Sequence, residues 1–375
     1  MKKFYWLLLF IAILLLFFLM GLTSFAQEND ELPTLDSYVE PIIDEMPEEV
    51  KEHLPKGDSY EEIAQNADSG YLLSLSLSFL KQSLESIYTY LAFFLSVLIL
   101  GSLAERIEES FEKKDNGLAS YIALLLIAFE AFTIIYSVSK EVFEYCSRIN
   151  AYMLSFTTVM SSVLLLGGGT MQATKSGTAL SITVSLLGGI CGYLLFPIIR
   201  ISFASSITSI ASKQINLSSV SSFLRGLFTF LIGFISLISI VAITFQSMLA
   251  QAEDTLAARS IRFAASSSIP IVGNAVGDSV RTLGAAVSVI QKGVGTIGVI
   301  GLIIMTLYPV SILFSTKIAL SLSKSIAGLL NVSIAEKLLG DLSHIVNMLL
   351  ATVSILSVLY IFATALFTGS TIPTA

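Results

Sequence analysis

Long apolar segments recur along this chain, and they restrict its fold more than any other feature. Residues 86–104, 118–138 and 228–249 contain at most one charged side chain each. Each segment has about 20 residues, the length that a helix needs to cross the hydrocarbon core of a bilayer. Only 13% of all residues are charged, about half the share found in soluble proteins. The sequence therefore predicts an all-α, polytopic integral membrane protein.

The N-terminus has the pattern of a signal peptide. Lys2 and Lys3 precede an apolar run over residues 4–22, and Ser24-Phe25-Ala26 fits the small-x-small pattern of a signal-peptidase site. We therefore expect a signal peptide over residues 1–26. The run is longer than a usual signal core, so an uncleaved anchor is the alternative. In both cases the following segment is exported.

Residues 27–83 form the expected extracytoplasmic segment, and its first part is strongly acidic. This part holds much of the acidic excess behind the net charge of −7, and prolines interrupt it at Pro33, Pro41, Pro47 and Pro55. Short apolar stripes indicate short helices with flexible joints; they consist of Val39, Ile42, Ile43, Met46, Val50 and Leu54. The acidic part is either a docking segment for a partner or a solvated spacer. Residues 71–83 are amphipathic, and we expect them on the outer membrane surface.

Residues 84–370 are expected to form a multi-pass membrane domain with about seven or eight transmembrane helices. The first span is followed by Arg106, Lys113 and Lys114, which indicate a cytoplasmic turn. The number of spans depends on residues 269–290. If these residues cross the membrane, which we prefer slightly, there are about eight spans. If they are re-entrant, there are about seven.

The membrane domain shows signs of an internal duplication, with copies at residues 151–249 and 267–367. Matched features occur in the same order in both copies: Gly167 and Gly284, Lys175 and Lys292, Pro197 and Pro309, Asn216 and Asn331, and Gly226 and Gly340. Eight spans give the copies opposite orientations and place Lys317, Lys324 and Lys337 inside. Seven spans make the copies parallel and place these lysines outside. Chance matches between stretches rich in serine and leucine are the alternative to a duplication.

A glycine-rich stretch at residues 259–301 carries the most specific packing signal. Gly273 and Gly277 have the GxxxG spacing that lets helices approach closely in lipid, and Gly188 and Gly192 are spaced alike in the first copy. We interpret all four as helix-packing residues.

The same stretch also contains ionisable side chains, which are unfavourable in lipid and should face protein or water. Asp278 and Arg281 share a face of a helix because they are three residues apart. They are therefore candidates, with Lys292, for a surface that faces a pore or a partner. A local ion pair of structural importance is the alternative.

Glu130 lies near the middle of the predicted span at 118–138 and has no basic residue at helical spacing. A carboxylate in that position needs a partner or a proton. It is a candidate proton or cation site, and a neutral, hydrogen-bonded structural acid is the alternative.

The sequence contains no Ser/His/Asp or HExxH pattern, and His53 and His344 lie far apart. Cys146 and Cys191 have no metal-ligand or redox spacing, and we interpret them as packing residues. We therefore expect no enzymatic activity, no metal, no cofactor and no nucleic-acid partner.

The order of these features, together with the stretches AEDTLAARSIRFAASSSIPIVGNAVGDSV and QKGVGTIGVIG, resembles the stage III sporulation protein AE family of endospore-forming bacteria. The resemblance covers most of the chain. It implies a multi-pass protein in the mother-cell membrane around the forespore. It also implies a channel or secretion-like complex with a secretion-type ATPase, ring-forming membrane proteins and a forespore-side partner.

The expected function is therefore a membrane-embedded pore or platform of that complex, in contact with membrane lipid. Two alternatives stay open. One is a stand-alone secondary transporter of a small solute, for which the repeat and Glu130 are the grounds. The other is a purely structural membrane anchor.

Overall fold

A computed structural model describes residues 36–44, 46–57, 62–63, 66–110, 118–166, 169–211, 218–268 and 273–369. All regular secondary structure in these ranges is helical. The expectation of an all-α fold is thus confirmed for the described residues. The predicted signal peptide lies outside them.

The helices follow one another with short connections. They are α1 (Asp36–Asp44), α2 (Glu48–Lys51), α3 (Ser69–Ser110), α4 (Leu118–Leu166), α5 (Gly177–Ile190), α6 (Phe196–Ala211), α7 (Ser218–Ser268), α8 (Gly273–Leu329) and α9 (Ser333–Thr368). Two π-helical segments make α5 and α6 part of one longer rod: Gln172–Ser176 precedes α5, and Cys191–Leu195 joins α5 to α6.

Six helical segments in the described residues are long and apolar enough to cross a membrane. They are Gly70–Leu103, Leu125–Leu166, Gln172–Thr208, Ser219–Met248, Val287–Leu329 and Ser333–Thr368. The chain is accordingly a membrane protein, but the expected count of seven or eight spans is not confirmed.

The difference arises because several predicted segments belong to one helix. The sequence predicts a span over residues 118–138 and the start of a repeat copy at residue 151, yet α4 continues without a break from Leu118 to Leu166. The chain between them contains neither glycine nor proline, so nothing ends the helix there. Likewise, residues 273–290 are the first turns of α8, and residues 71–83 belong to α3.

The long helices run alternately up and down. Tyr145 of α4 contacts Thr306 of α8, and Tyr152 of α4 contacts Gly298 of α8, so α4 and α8 are antiparallel. Gly177 lies against Ser161 and Gly188 against Asn150, so the rod containing α5 is also antiparallel to α4. The rod and α8 therefore point in the same direction.

The helices α8 and α9 form the central hairpin. In each of them 61% of the most apolar stretch is buried, compared with 22% in α7, which lies at the periphery. Their connection turns at Asn331, whose φ of 63° is left-handed. Asparagine tolerates this conformation better than most residues. The amide of Val332 then donates to the carbonyl of Ala327 at 3.0 Å, which helps to end α8.

Candidate functional site

A charged stripe runs along the middle of α4 and consists of Lys140, Glu141, Glu144 and Arg148. Arg148 Nη2 lies 2.8 Å from Glu141 Oε1, and Arg148 Nη1 lies 3.8 Å from Glu144 Oε2. Lys140 Nζ lies 3.7 Å from Glu144 Oε1. The spacing places these side chains on one side of a helix. The stripe is electrically balanced, and its members are partly to largely exposed, with Lys140 at 66%.

Next to the stripe, α4 contributes Tyr145 to a hydroxyl cluster with Thr306 of α8 and Ser357 of α9. The hydroxyl oxygens of Tyr145 and Ser357 lie 2.5 Å apart, and those of Tyr145 and Thr306 lie 3.1 Å apart. Thr306 also donates to Ser357 at 3.0 Å. Hydrogen bonds between helices of this kind add stability in a medium that offers no water. The cluster therefore ties α4 to both arms of the central hairpin.

Further polar contacts extend the cluster along α4. Asn150 is hydrogen-bonded to Tyr360 of α9, and its amide lies against Gly188 of α5. The buried thiols of Cys146 and Cys191 also contact each other, between α4 and the second π-helical segment. The two cysteines thus pack together, as the interpretation of packing residues requires.

Glycines of α8 permit the close approach of α9 and α4. A methyl group at Gly295 would collide with Thr368 of α9, and one at Gly298 would collide with Phe156 of α4. A methyl group at Gly301 would lie 2.7 Å from the hydroxyl oxygen of Tyr152, also in α4. These glycines are three residues apart and so form one face of the helix. Among the described residues of this stretch, Gly295, Gly298 and Gly301 therefore make close helix contacts.

The acidic N-terminal segment forms a strap over the bundle, which we define as residues 36–44 and 46–57. Val39, Ile42, Met46 and Val50 are buried, and the terminal methyl of Met46 lies against Gly301. Farther along, Tyr71 of α3 donates a hydrogen bond to the carbonyl of His53 at 2.7 Å. The apolar stripes seen in the sequence are thus covered by the chain's own helices.

The predicted polar site residues are not brought together. Glu130 is half-buried near Tyr90 of α3, whereas Lys292 is exposed at the far end of the bundle. Gln291, next to Lys292, is buried, and its side-chain amide donates a hydrogen bond to the carbonyl of Phe367 at 3.1 Å. Asp278 and Arg281 belong to the first turns of α8, but their side chains lie outside the described part of the structure.

The predicted packing glycines differ in their surroundings. Gly188 faces Asn150, whereas a methyl group at Gly192 would meet no atom within 4 Å. Gly192 therefore makes no close approach within the described chain. Gly273 and Gly277 lie in the first turns of α8, and what surrounds them is outside the described residues.

A second polar region lies where α8 meets α9, and we call it the end pocket. It has a volume of about 350 Å³ and is lined by Lys324, Ser333, Glu336, Lys337, Gly340, Asp341 and His344. Arg225 of α7 forms an ion pair at 3.1 Å with Asp341, one of the lining residues. Lys324 of α8 lies against Gly340 of α9. Its ammonium nitrogen is 3.3 Å from the position that a β-carbon at Gly340 would occupy. The described residues contain no cluster of three or more His, Cys, Asp or Glu that fits a metal ion.

Reasoning from the sequence missed the stripe, the hydroxyl cluster and the end pocket. The stripe had a detectable signal, because Glu141, Glu144 and Arg148 have the three- and four-residue spacing of a helix face. The hydroxyl cluster had no such signal, because Tyr145 and Ser357 are 212 residues apart.

Comparison with known proteins identifies relatives of the chain. The family model described as stage III sporulation protein AE matches residues 58–371. The stage III sporulation protein AE of Bacillus subtilis (strain 168) is 21% identical over 235 residues, which cover 62% of this chain and 58% of that relative. No solved structure matches the chain. Since the family model extends over the whole described bundle from α3 to α9, the chain belongs to the stage III sporulation protein AE family.

Proposed function

We propose that this chain is a membrane-embedded subunit of a channel or secretion-like complex between mother cell and forespore, and that it acts as a pore or platform. Membership of the family gives the chain a role in sporulation. The proposed location is the mother-cell membrane around the forespore. The proposed partners are ring-forming membrane proteins, a secretion-type ATPase and a forespore-side protein, and the role is not enzymatic.

The observation that carries this proposal is the position of the charged stripe. The stripe flanks Tyr145 along α4, and the Tyr145 hydroxyl is hydrogen-bonded to Thr306 and Ser357 in the middle parts of α8 and α9. Ionisable side chains halfway along membrane-spanning helices need protein or water around them. Such a surface suits a subunit that conducts or contacts another component, and it would be unfavourable in a simple anchor surrounded by lipid.

We further propose six crossings in the described chain, with the acidic strap on the extracytoplasmic side of the bundle. An unbroken helix crosses a bilayer once, so α4 and α8 each contribute one crossing. Alternating helices then place Lys324 and Lys337 at the same end as the connection that carries Lys113 and Lys114. That end is cytoplasmic by the positive-inside tendency. Retention of the apolar run at residues 4–22 as an anchor would add a seventh crossing.

The internal duplication is also part of this proposal, now with parallel copies. In each copy a proline-bearing rod is followed by a turn and a final helix: α5–α6 with α7, and α8 with α9. Arg225 and Asp341 join the two final helices, and each lies next to one of the matched glycines, Gly226 and Gly340. Contact between corresponding positions is the arrangement that related halves produce around a common axis.

The proposal is tested by affinity purification of the tagged, full-length chain from sporulating cells after mild cross-linking. We expect the ATPase and the ring-forming membrane proteins to co-purify with it. An untagged strain and a tagged, unrelated polytopic protein serve as controls. Recovery of the chain alone, in cells that sporulate normally, would contradict a role in a complex.

A secondary transporter is the remaining candidate from another class, and Glu130 is its main support. Glu130 lies near Tyr90, well away from the charged stripe, so the two do not form one site. A transporter would function without the ATPase. Replacement of Glu130 by Gln should therefore abolish sporulation under the transporter hypothesis and leave it largely intact under ours.

A further inference from the structure

Four charge-free stretches define a common slab across the bundle. They are residues 176–199, 226–252, 293–316 and 345–369. The stretches lie side by side, since Thr306 is bonded to Ser357, and Ile243 and Ala363 line one small cavity. Each has slightly more than the roughly 20 residues needed to cross a bilayer. They therefore mark the height at which the membrane surrounds this part of the protein.

The charged stripe lies in the middle of that slab. Glu144 and Cys146 flank Tyr145, whose hydroxyl is bonded to Thr306 and Ser357. Cys146 also contacts Cys191, near the centre of the first charge-free stretch. The ion pairs of α4 are consequently at the height of the hydrocarbon core.

At the same height, another side of the bundle is suited to lipid. On α7, Phe230, Phe234, Leu237 and Val241 are exposed in a stretch without charged residues. Tyr193, two residues from Cys191, is 89% exposed. At one level, the bundle thus exposes apolar side chains along α7 and an ion-paired cluster on α4, as expected of a protein between lipid and water.

The strap adds carboxylates to the charged side. Its buried Met46 lies against Gly301 and close to Tyr152, one helical turn beyond Arg148. On its outer surface Glu40 and Asp44 are exposed. The strap therefore brings additional ionised groups to the level of the slab.

We propose that the charged stripe and the outer surface of the strap line a water-filled vestibule within the membrane. This inference deepens the proposed function and rests on it in one respect, namely that the bundle crosses a membrane. The charged stripe and the strap would form the side of the protein that borders the aqueous path. The vestibule would admit water and small cations.

Water fits this surface better than lipid or a tightly packed protein. Lipid is excluded because ion pairs and free carboxylates in hydrocarbon are strongly unfavourable. Lys, Glu and Asp are depleted in the buried centres of protein interfaces. Lys140 keeps 66% of its side-chain surface exposed although it has an ionic partner, as is usual for solvated pairs.

The charge balance favours cations. The stripe has two acidic and two basic side chains, and so contributes no net charge. The outer surface of the strap contributes Glu40 and Asp44, which have no ion pair among the described residues. A confined, negatively charged aqueous space raises the local concentration of cations.

Cysteine accessibility in the full-length chain tests the vestibule. Lys140→Cys and Glu144→Cys would be treated in sealed membranes with a membrane-impermeant, water-soluble thiol reagent. Tyr193→Cys and Phe234→Cys are the matched controls, because they are exposed on the apolar side of the slab. The unmodified chain gives the background from its two buried cysteines.

We expect positions 140 and 144 to react on the order of 10-fold faster than positions 193 and 234, because the reactive thiolate needs water. At position 140 a cationic reagent should react several-fold faster than an anionic one, owing to the excess of carboxylates. Equal, fast reaction at all four positions would mean that the slab lies outside the bilayer. Slow reaction at all four would mean that lipid or protein covers the stripe, and either outcome would overturn the proposal.

Failure of the vestibule can be separated from failure of the proposed complex. The labelling is repeated in membranes of non-sporulating cells that lack the proposed partners. Differential labelling there, without co-purification from sporulating cells, would support the vestibule and contradict the complex. Co-purification from sporulating cells together with uniform labelling would support the complex and contradict the vestibule. Each variant is first checked for normal accumulation and a monodisperse profile in detergent.

Discussion

Arg225 of α7 forms an ion pair with Asp341 of α9 at 3.1 Å, and both side chains are mostly buried, with exposures of 26% and 16%. Replacement of Asp341 by Ala leaves the guanidinium without its partner, which should destabilise the protein by about 1–3 kcal/mol. Thermal unfolding in detergent measures this loss. The exchanged pair, Arg225→Asp with Asp341→Arg, should recover part of it; no recovery would contradict a direct interaction.

Gly298 should tolerate no larger side chain. Since a methyl group there collides with Phe156, Gly298→Leu should separate α4 from α8 and lower the yield of folded protein. Overpacking of this kind costs about 1–3 kcal/mol or more. Gly192→Leu is the matched control, because that position faces open space. Equal yields for the two variants would contradict the observed packing.

The pair Gly273 and Gly277 gives a separate prediction about assembly. A leucine at both positions removes a small-residue face and should block close helix packing, whereas alanine at both should be mild. Co-purification with the proposed partners and the frequency of sporulation are the measurements. Normal results for the leucine variant, at normal protein level, would show that these glycines have no packing role.

The hydroxyl cluster should contribute little stability through any single member. In Tyr145→Phe, the hydroxyls of Thr306 and Ser357 can still donate to the carbonyls of Leu302 and Val353 within their own helices. We expect a loss of about 1 kcal/mol or less. Thermal unfolding of Tyr145→Phe and of the Tyr145→Phe/Ser357→Ala pair tests this. A loss several times larger for the single variant would show that the cluster acts as a unit.

The strap should detach when its buried face becomes charged. Ile42→Asp places a carboxylate in an apolar contact, so the strap should leave the bundle and expose the chain after Lys51 to trypsin. Cleavage should become several-fold faster than in the unmodified protein. Glu40→Gln changes the exposed surface of the same helix and should leave the rate unchanged. Equal rates for the two variants would contradict the observed docking.

Local features could be predicted from the sequence wherever the determinant is itself local. Apolar length indicated the membrane helices, and Asn331, one of the positions matched between the copies, lies in the turn between α8 and α9. The break expected within α4 was wrong because charged residues such as Glu141 and Arg148 are compatible with a helix whose partners lie elsewhere. The contact of Tyr145 with Ser357 depends on tertiary packing, which no periodicity reveals.

The turn at Asn331 also has a consequence for how the protein is made. Because α8 and α9 form a tight hairpin, they can enter the membrane as one unit that begins and ends on the same side. The same holds for the rod containing α5 and α6 followed by α7. The orientation of each hairpin therefore follows from that of its first helix.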